Sequence, residues 1–221
     1  MTLADGKDGR PDPGLSESGA FPRPVHADRL RATLLPDILS ENLTVVFVGT
    51  AKSEASARAG HYYANPRNGF WDLLRATGLT GGVRVDPSED RTVLDYGVGL
   101  TDLVAGRAAS SDGLLRAADF DLPGFVARIE RFRPAVVAFN GGNSASRVAR
   151  HLGHAEPAEG PIEWELAGSS AYRLPSSSSA NATGGYAVKR AKWVAFGEWV
   201  RGRPGSRDPG RGVAGTKEPV R

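Results

Sequence analysis

The sequence contains no cysteine and only four histidines among 221 residues. The lack of cysteine excludes disulfides, thiolate catalysis, and zinc or iron–sulfur sites with cysteine ligands. The histidines, at positions 26, 61, 151 and 154, are too few for a histidine-rich metal site. The composition therefore implies no metal ion.

Long apolar runs are also absent. No segment reaches the roughly 18 apolar residues that a membrane-spanning helix needs. The N-terminus has neither the basic start nor the apolar stretch of a signal peptide. We expect a soluble, cytoplasmic protein without a membrane partner.

Two segments at the ends of the chain are rich in glycine, proline and charge. Residues 1–24 and 202–221 have too little apolar surface to offset the entropy of ordering, which predicts two disordered tails around a single domain of residues 25–201. The net charge is +3 and the sequence pI is about 9.4. The basic C-terminal tail is compatible with binding a polyanion by counterion release, and equally with a role in solubility.

Two apolar runs have the length and β-branching of buried strands, residues 43–49 (LTVVFVG) and 135–141 (AVVAFNG). The patterns predict helices at 68–78, 122–132, 143–152 and 185–201, two further strands in IEWELAG and AYRLPSS, and a first helix from a cap at Asp28 through Leu39. Alternating helices and buried strands predict a three-layer α/β/α sandwich with a largely parallel sheet. Such sheets bind ligands at the carboxyl ends of their strands.

Four predicted loops, rich in small and polar residues, are expected to meet at that edge. They are residues 49–56, 140–146, 174–185, and the stretch 94–104, which contains Asp95 and Asp102. The serine run at 176–179 precedes a helix that carries Lys189, and hydroxyls, backbone N–H groups and a lysine at a helix start are suited to phosphate. A solvated helix face is the alternative interpretation of Lys189.

Aromatic residues cluster just after the first strand. Phe70 and Trp71 share a predicted helix with two leucines, so we assign them to the core. Tyr62 and Tyr63 precede that helix in a predicted loop, where a tyrosine can cover the core edge or stack on a flipped base.

Five segments, in this order and spacing, resemble the mismatch-specific uracil-DNA and thymine-DNA glycosylase family of the uracil-DNA glycosylase superfamily. They are VVFVGTAKS, GHYYANPRNGFWDLL, LDYGVGLTDLV, AVVAFNG and LPSSSSAN. The resemblance implies a uracil-DNA glycosylase-like fold and a monofunctional, monomeric DNA-repair enzyme, nucleoid-associated if bacterial. Its partner would be duplex DNA, from which it flips uracil, in G·U mispairs, and hydrolyses the N-glycosidic bond without a cofactor.

The resemblance also assigns roles to residues. It places Gly49, Thr50, Ala51 and Asn140 at the strand ends that line the substrate pocket, and Tyr63 where an aromatic ring stacks on the base. The loop that enters the duplex corresponds to Ser176, Ser177, Ser178, Ser179, Ala180 and Asn181.

One position departs from the family. The family has Gly-Ile-Asn-Pro-Gly after the first strand, and its asparagine positions the attacking water, whereas residues 49–53 read GTAKS. Because Ala51 has no polar side chain, we assign the catalytic role to a carboxylate, Asp102 in preference to Asp95. Either residue could stabilise the positive charge that develops on the sugar. The alternative is a DNA-binding or damage-sensing relative that lost catalysis with the asparagine.

A third hypothesis, a nucleotide-binding α/β enzyme, has less support. No Gly-x-Gly-x-x-Gly or phosphate-loop lysine motif follows the first strand.

Overall fold

The computed structural model describes residues 35–179 and 185–203. The tails predicted at 1–24 and 202–221 lie outside these residues, apart from positions 202 and 203, and so do Ala180 and Asn181. Asp28 and the first part of the helix predicted to follow it are outside them as well.

A five-stranded sheet forms the centre of the molecule. Its strands are β1 (Val45–Ala51), β2 (Val98–Val104), β3 (Val136–Asn140), β4 (Gly160–Leu166) and β5 (Ser169–Leu174), in the order β2-β1-β3-β5-β4. The first four strands of that order are parallel, and β4 is antiparallel to β5. This sheet confirms the predicted α/β fold with a largely parallel centre.

In the described part of the chain, five α-helices accompany the sheet: α1 (Glu54–Ala59), α2 (Phe70–Thr77), α3 (Leu122–Phe132), α4 (Gly142–His151) and α5 (Gly185–Arg201). Helices α2 and α5 pack on one face and α3 and α4 on the other, because their apolar residues join two separate core clusters. Three 3₁₀ helices, Pro87–Tyr96, Asp112–Leu114 and Ala117–Asp119, lie in the connections. Four of the predicted helices are confirmed to within two residues at each end.

Strand β1 is buried on both faces, which explains its unbroken apolar sequence. Val45 and Phe47 pack towards α2 and α5, and Val46 and Val48 pack towards α3 and α4. Phe47 lies against Trp193 of α5 in a parallel stack with 5.6 Å between ring centroids. The predicted core positions of Phe70 and Trp71 are also confirmed, since both side chains are buried.

Two local predictions were wrong. Residues 35–39 are not helical, because Ile38 instead forms an antiparallel bridge to Leu100, with N–H···O distances of 2.9 and 2.8 Å. Pro36 has no N–H to donate and disfavours a helix interior at this point. The segment after β1 is not all loop, since α1 begins at the cap Ser53, whose hydroxyl accepts the Ser56 N–H, and ends at Gly60 with a φ of 75°.

Candidate active site

Polar or small residues replace apolar ones where three parallel strands end. On the face that carries α2 and α5, the inward positions that follow the apolar residues of β1, β2 and β3 are Gly49, Asp102 and Asn140. The parallel register sets Gly49 directly beside Asp102. Since side chains alternate between the two faces of a sheet, these positions lie on one side at one edge.

Gly49 provides the space that the Asp102 carboxylate occupies. A methyl group at Gly49 would collide with Oδ1 of Asp102 and would lie 3.3 Å from the hydroxyl of Tyr63. Its backbone needs no left-handed conformation, so close approach is the reason for glycine here. The carboxylate and the Tyr63 hydroxyl therefore converge above Gly49.

Asp102 lies in a strand, not in a loop as the sequence suggested, and it is only 3% exposed. Its Oδ2 lies 3.4 Å from Nζ of Lys52, and neither atom has a hydrogen-bond partner among the described residues. Burial raises the pKa of Asp102 to about 6, while the Lys52 ammonium lowers it in part. The pKa of this buried carboxyl therefore lies above the value of about 4 that is typical of an exposed aspartate.

Asn140 links three elements through its amide. Its Oδ1 accepts the backbone N–H of Ser177 at 2.8 Å, and its Nδ2 donates to the Ser177 hydroxyl at 2.9 Å and to the Tyr63 hydroxyl at 3.2 Å. Asn140 and Ser177 are both buried. The amide therefore fixes the serine-rich loop and the tyrosine against the end of β3.

Tyr63 lies between the core and this edge. Its ring stacks on Phe70 with 3.8 Å between centroids and an interplanar angle of 12°. Burial, followed by the negative charge of Asp102, raises the pKa of its phenol, so the hydroxyl stays neutral. One ring face is thus covered by Phe70, and only the other can contact a ligand.

The remaining predicted pocket residues divide between the two faces of the sheet. Thr50 donates its hydroxyl to Asp112 at 3.2 Å, and Asn143 donates to the same carboxylate oxygen at 2.7 Å. Ala51, the last residue of β1, pairs with Val104 and offers no polar side chain. The side chain of Thr50 therefore contacts the connection at residues 105–121 and lies away from Asp102.

Asp95 does not join this edge. It belongs to the 3₁₀ helix that precedes β2, so it lies at the amino end of the strand that carries Asp102 near its carboxyl end. Its side chain is exposed. The structure therefore brings Asp102, and not Asp95, together with Gly49, Tyr63 and Asn140.

The serine-rich loop is ordered over its described part. Ser177 O accepts the Gly69 N–H at 3.1 Å, the Ser178 N–H bonds Oγ of Ser176 at 3.2 Å, and Nζ of Lys189 donates to Ser178 O at 2.8 Å. Lys189 is 7% exposed, and burial lowers its pKa. Beside this loop is a cavity of about 290 Å³, lined by residues 66–69, Asp72, Ser177, Ser179, Gly185, Tyr186 and Lys189.

A model of the uracil DNA glycosylase superfamily matches residues 36–197, more than half of the chain. The chain belongs to the uracil DNA glycosylase superfamily. It is also similar to the solution NMR structure of a candidate uracil DNA glycosylase from Methanosarcina acetivorans, with 22% sequence identity and a TM-score of 0.53. That similarity covers 76% of this chain and 96% of the other, and it concerns the fold.

Superfamily membership supports a glycosylase-type hydrolase that acts on DNA, and it confirms the resemblance at this level. The mismatch-specific family within the superfamily stays a prediction. All the residues gathered at the strand ends lie within the matched segment.

Sequence reasoning missed Lys52 and Arg128. The lysine was visible as a charge directly after a buried strand, but its partner is 50 positions away and follows only from the β1–β2 register. Arg128 of α3 donates to the backbone carbonyl of Asp102 at 3.0 Å and pairs with Asp37 at 3.0 Å. No sequence signal connects Arg128 with Asp102 or with Asp37.

Within residues 35–179 and 185–203, no three histidine, aspartate or glutamate side chains are grouped so that they could hold a metal ion. In the same part of the chain, no helix is long and apolar enough to cross a membrane.

Proposed function

We propose that this chain is a monofunctional uracil-DNA glycosylase that flips uracil from duplex DNA, acts on G·U mispairs, and works as a monomer without metal or cofactor. The observation that carries the proposal is the buried Asp102 carboxylate beside Gly49, Tyr63 and Asn140 at the carboxyl edge of a uracil DNA glycosylase superfamily sheet. Open parallel sheets bind their ligands at this edge.

Asp102 acts as the general base in this proposal. It accepts a proton from a water molecule whose oxygen bonds to C1′ of the deoxyribose as the bond from C1′ to N1 of uracil breaks. The bonding electrons leave with the base, which is then protonated. The carboxylate also stabilises the positive charge that develops on the sugar, and so it supplies what the side chain of Ala51 does not.

Tyr63 and Asn140 hold the base. The ring face of Tyr63 that Phe70 leaves uncovered stacks on uracil, as aromatic residues do on flipped bases. The Nδ2 group of Asn140 donates to a uracil carbonyl, which takes the place of the Tyr63 hydroxyl as acceptor. Hydrogen-bond donors beside the base also stabilise its developing negative charge.

The serine-rich loop contacts the DNA. Ser176–Ser179 are small enough to let the backbone approach a phosphate, and Lys189 adds positive charge to the same loop through its bond to Ser178. The cavity beside this loop gives room for the DNA backbone next to Tyr186, whose side chain is 54% exposed.

Purified protein incubated with duplexes containing one U opposite G or A, and with single-stranded U, tests the proposal after alkaline cleavage of abasic sites. We expect cleavage, fastest for G·U, and a loss of about 10²-fold or more in the single-turnover rate for Asp102→Asn. Asp95→Asn is the matched control and should retain the wild-type rate. An active Asp102→Asn beside a folded but inactive Asp95→Asn would reverse the assignment.

The same experiment tests the second candidate, a non-catalytic DNA-binding relative. Ala51 favours it, because the family asparagine that positions water is missing there. Binding of U-containing duplex without any cleavage by the wild-type protein would establish this candidate instead.

A further inference from the structure

Lys52 is a buried charge to which the proposed reaction assigns no role. Its side chain is 1% exposed, and its Nζ lies 3.4 Å from Oδ2 of Asp102. The same nitrogen lies 5.5 Å from the centroid of the Tyr62 ring, over its face. Burial of an ammonium group carries a large desolvation cost. A neighbouring carboxylate and an aromatic ring face offset this cost.

The other charged groups around Asp102 come from separate elements. Asp37, in the segment before β1, pairs with Arg128 of α3 at 3.0 Å and accepts the Tyr62 hydroxyl at 3.2 Å. Arg128 reaches the backbone carbonyl of Asp102, not its carboxylate. The phenols of Tyr62 and Tyr63 stay neutral, because burial raises the pKa of each. Among the residues that the structure describes, Lys52 is therefore the cation in direct contact with the carboxylate.

The two carboxylate oxygens face different surroundings. Oδ2 faces Lys52, whereas Oδ1 lies over Gly49, where the Tyr63 hydroxyl also converges. A cation behind Oδ2 fixes the rotation of the carboxyl group and leaves Oδ1 at the side where a water and a sugar would lie. It also favours the charged form of the carboxyl over the protonated form.

We propose that Lys52 is a positioning residue that holds the Asp102 carboxylate ionised, with Oδ1 turned towards the substrate side. This inference rests on the proposed function, because it gives Lys52 a role in the reaction assigned to Asp102. Lys52 does not itself attack the sugar, since its Nζ is buried behind the carboxylate.

The pH dependence of the single-turnover rate on a G·U duplex tests the inference, with Lys52→Met as the variant and Lys52→Arg as its charge-preserving control. Without the ammonium the carboxyl takes up a proton more readily. The midpoint of the Lys52→Met profile should rise by at least about one pH unit, which lowers the rate at pH 6 about fivefold. At pH 9 the variant should approach the wild-type rate, and Lys52→Arg should keep the wild-type midpoint.

A Lys52→Met rate that falls by the same factor at every pH would overturn the inference, because a purely structural role predicts that pattern. Trapping of the wild-type protein on abasic DNA by borohydride, lost in Lys52→Met, would also overturn it, by showing that the amine reacts covalently.

A carboxyl ¹³C NMR titration of the Asp102 side chain separates this inference from the proposed function. The resonance is assigned by its loss in Asp102→Asn, and its midpoint should rise in Lys52→Met whether or not the protein cleaves DNA. If the midpoint does not move, the inference fails, and wild-type cleavage of G·U decides the proposed function independently.

Stability measurements cover the case in which Lys52→Met folds poorly. Removing one member of a buried pair leaves an uncompensated charge, whereas removing both does not. The double variant Lys52→Met/Asp102→Asn should therefore have a higher Tm than Lys52→Met alone. Equal or lower stability of the double variant would contradict the pairing.

Discussion

At the scale of single residues, the site depends on a change of side-chain type at one position in each of three strands. Apolar residues fill the first inward positions of β1, β2 and β3, and Gly49, Asp102 and Asn140 follow them towards the carboxyl ends of the strands. The glycine is as important as the carboxylate, because it leaves the volume into which Oδ1 extends.

Gly49→Ala should therefore impair catalysis without unfolding the protein. The added methyl group meets Oδ1 of Asp102, so the carboxylate must turn away from the substrate side. A displacement of about 1 Å can cost on the order of 10²-fold in rate. Single-turnover cleavage of a G·U duplex measures the loss, and circular dichroism checks the fold. A folded variant with the wild-type rate would show that the carboxylate orientation is not required.

Tyr63→Ala should weaken binding of the substrate duplex by about 1–3 kcal/mol, the usual contribution of a base–aromatic stack. Tyr63→Phe keeps the ring on Phe70 and removes only the hydroxyl, so it serves as the control and should bind nearly as well. The affinity for a duplex carrying a non-cleavable uracil analogue is the measurement. Unchanged affinity of Tyr63→Ala would assign the ring to the core alone.

The positions of some candidate site residues could be predicted from the sequence, whereas their roles stay predictions. Asp102, Tyr63 and Asn140 stand next to recognisable strands and helices, so their position at the sheet edge follows from local pattern. Lys52 pairs with Asp102 only through strand register, and burial rather than residue type raises the pKa of that carboxyl. Neither the register of two strands nor the burial of a charged side chain can be read from a single sequence.

At the scale of elements, the packing of aromatic residues between the sheet and helices α2 and α5 depends on a close crossing of these two helices. Gly197 of α5 lies against the backbone of Thr77, at the end of α2, with no room for a side chain. The same helix inserts Trp193 and Phe196 beside Phe47. This packing holds α2, and with it the Phe70 ring on which Tyr63 stacks.

Gly197→Ala should destabilise the protein by about 1–3 kcal/mol, because an extra methyl group in a tight contact forces the helices apart. Gly202→Ala is the matched control, since its methyl group would meet its neighbours at ordinary distances of 3.5 and 3.7 Å. Urea denaturation compares the two variants. Equal stabilities would mean that α2 and α5 adjust to the added volume without cost.

The elements themselves were largely predictable, because continuous apolar runs and helical spacing are local signals. The errors came from competing local and tertiary effects. Pro36 and the bridge between Ile38 and Leu100 exclude a helix at 35–39. The Ser53 cap and Gly60 terminate a short helix at both ends, inside a segment that composition alone described as a loop.

At the scale of the whole molecule, the parallel sheet brings together residues that are far apart in sequence. Gly49, Asp102 and Asn140 come from three strands, and Tyr63 and Ser177 from two connections, yet they meet at one edge. In the proposed function, base excision takes place at this edge. We therefore expect the rate of base excision to depend on the ionisation of one buried carboxyl, that of Asp102.

The single-turnover rate on a G·U duplex between pH 5 and pH 9, for the wild type and Asp102→Asn, tests the central claim most directly. Since burial raises the pKa of Asp102 to about 6, the carboxylate is lost as the pH falls through that value. The wild-type rate should rise with a midpoint near pH 6. The variant should be slower by about 10²-fold or more and lack this step. An Asp102→Asn rate equal to that of the wild type, with the same pH midpoint, would contradict the account.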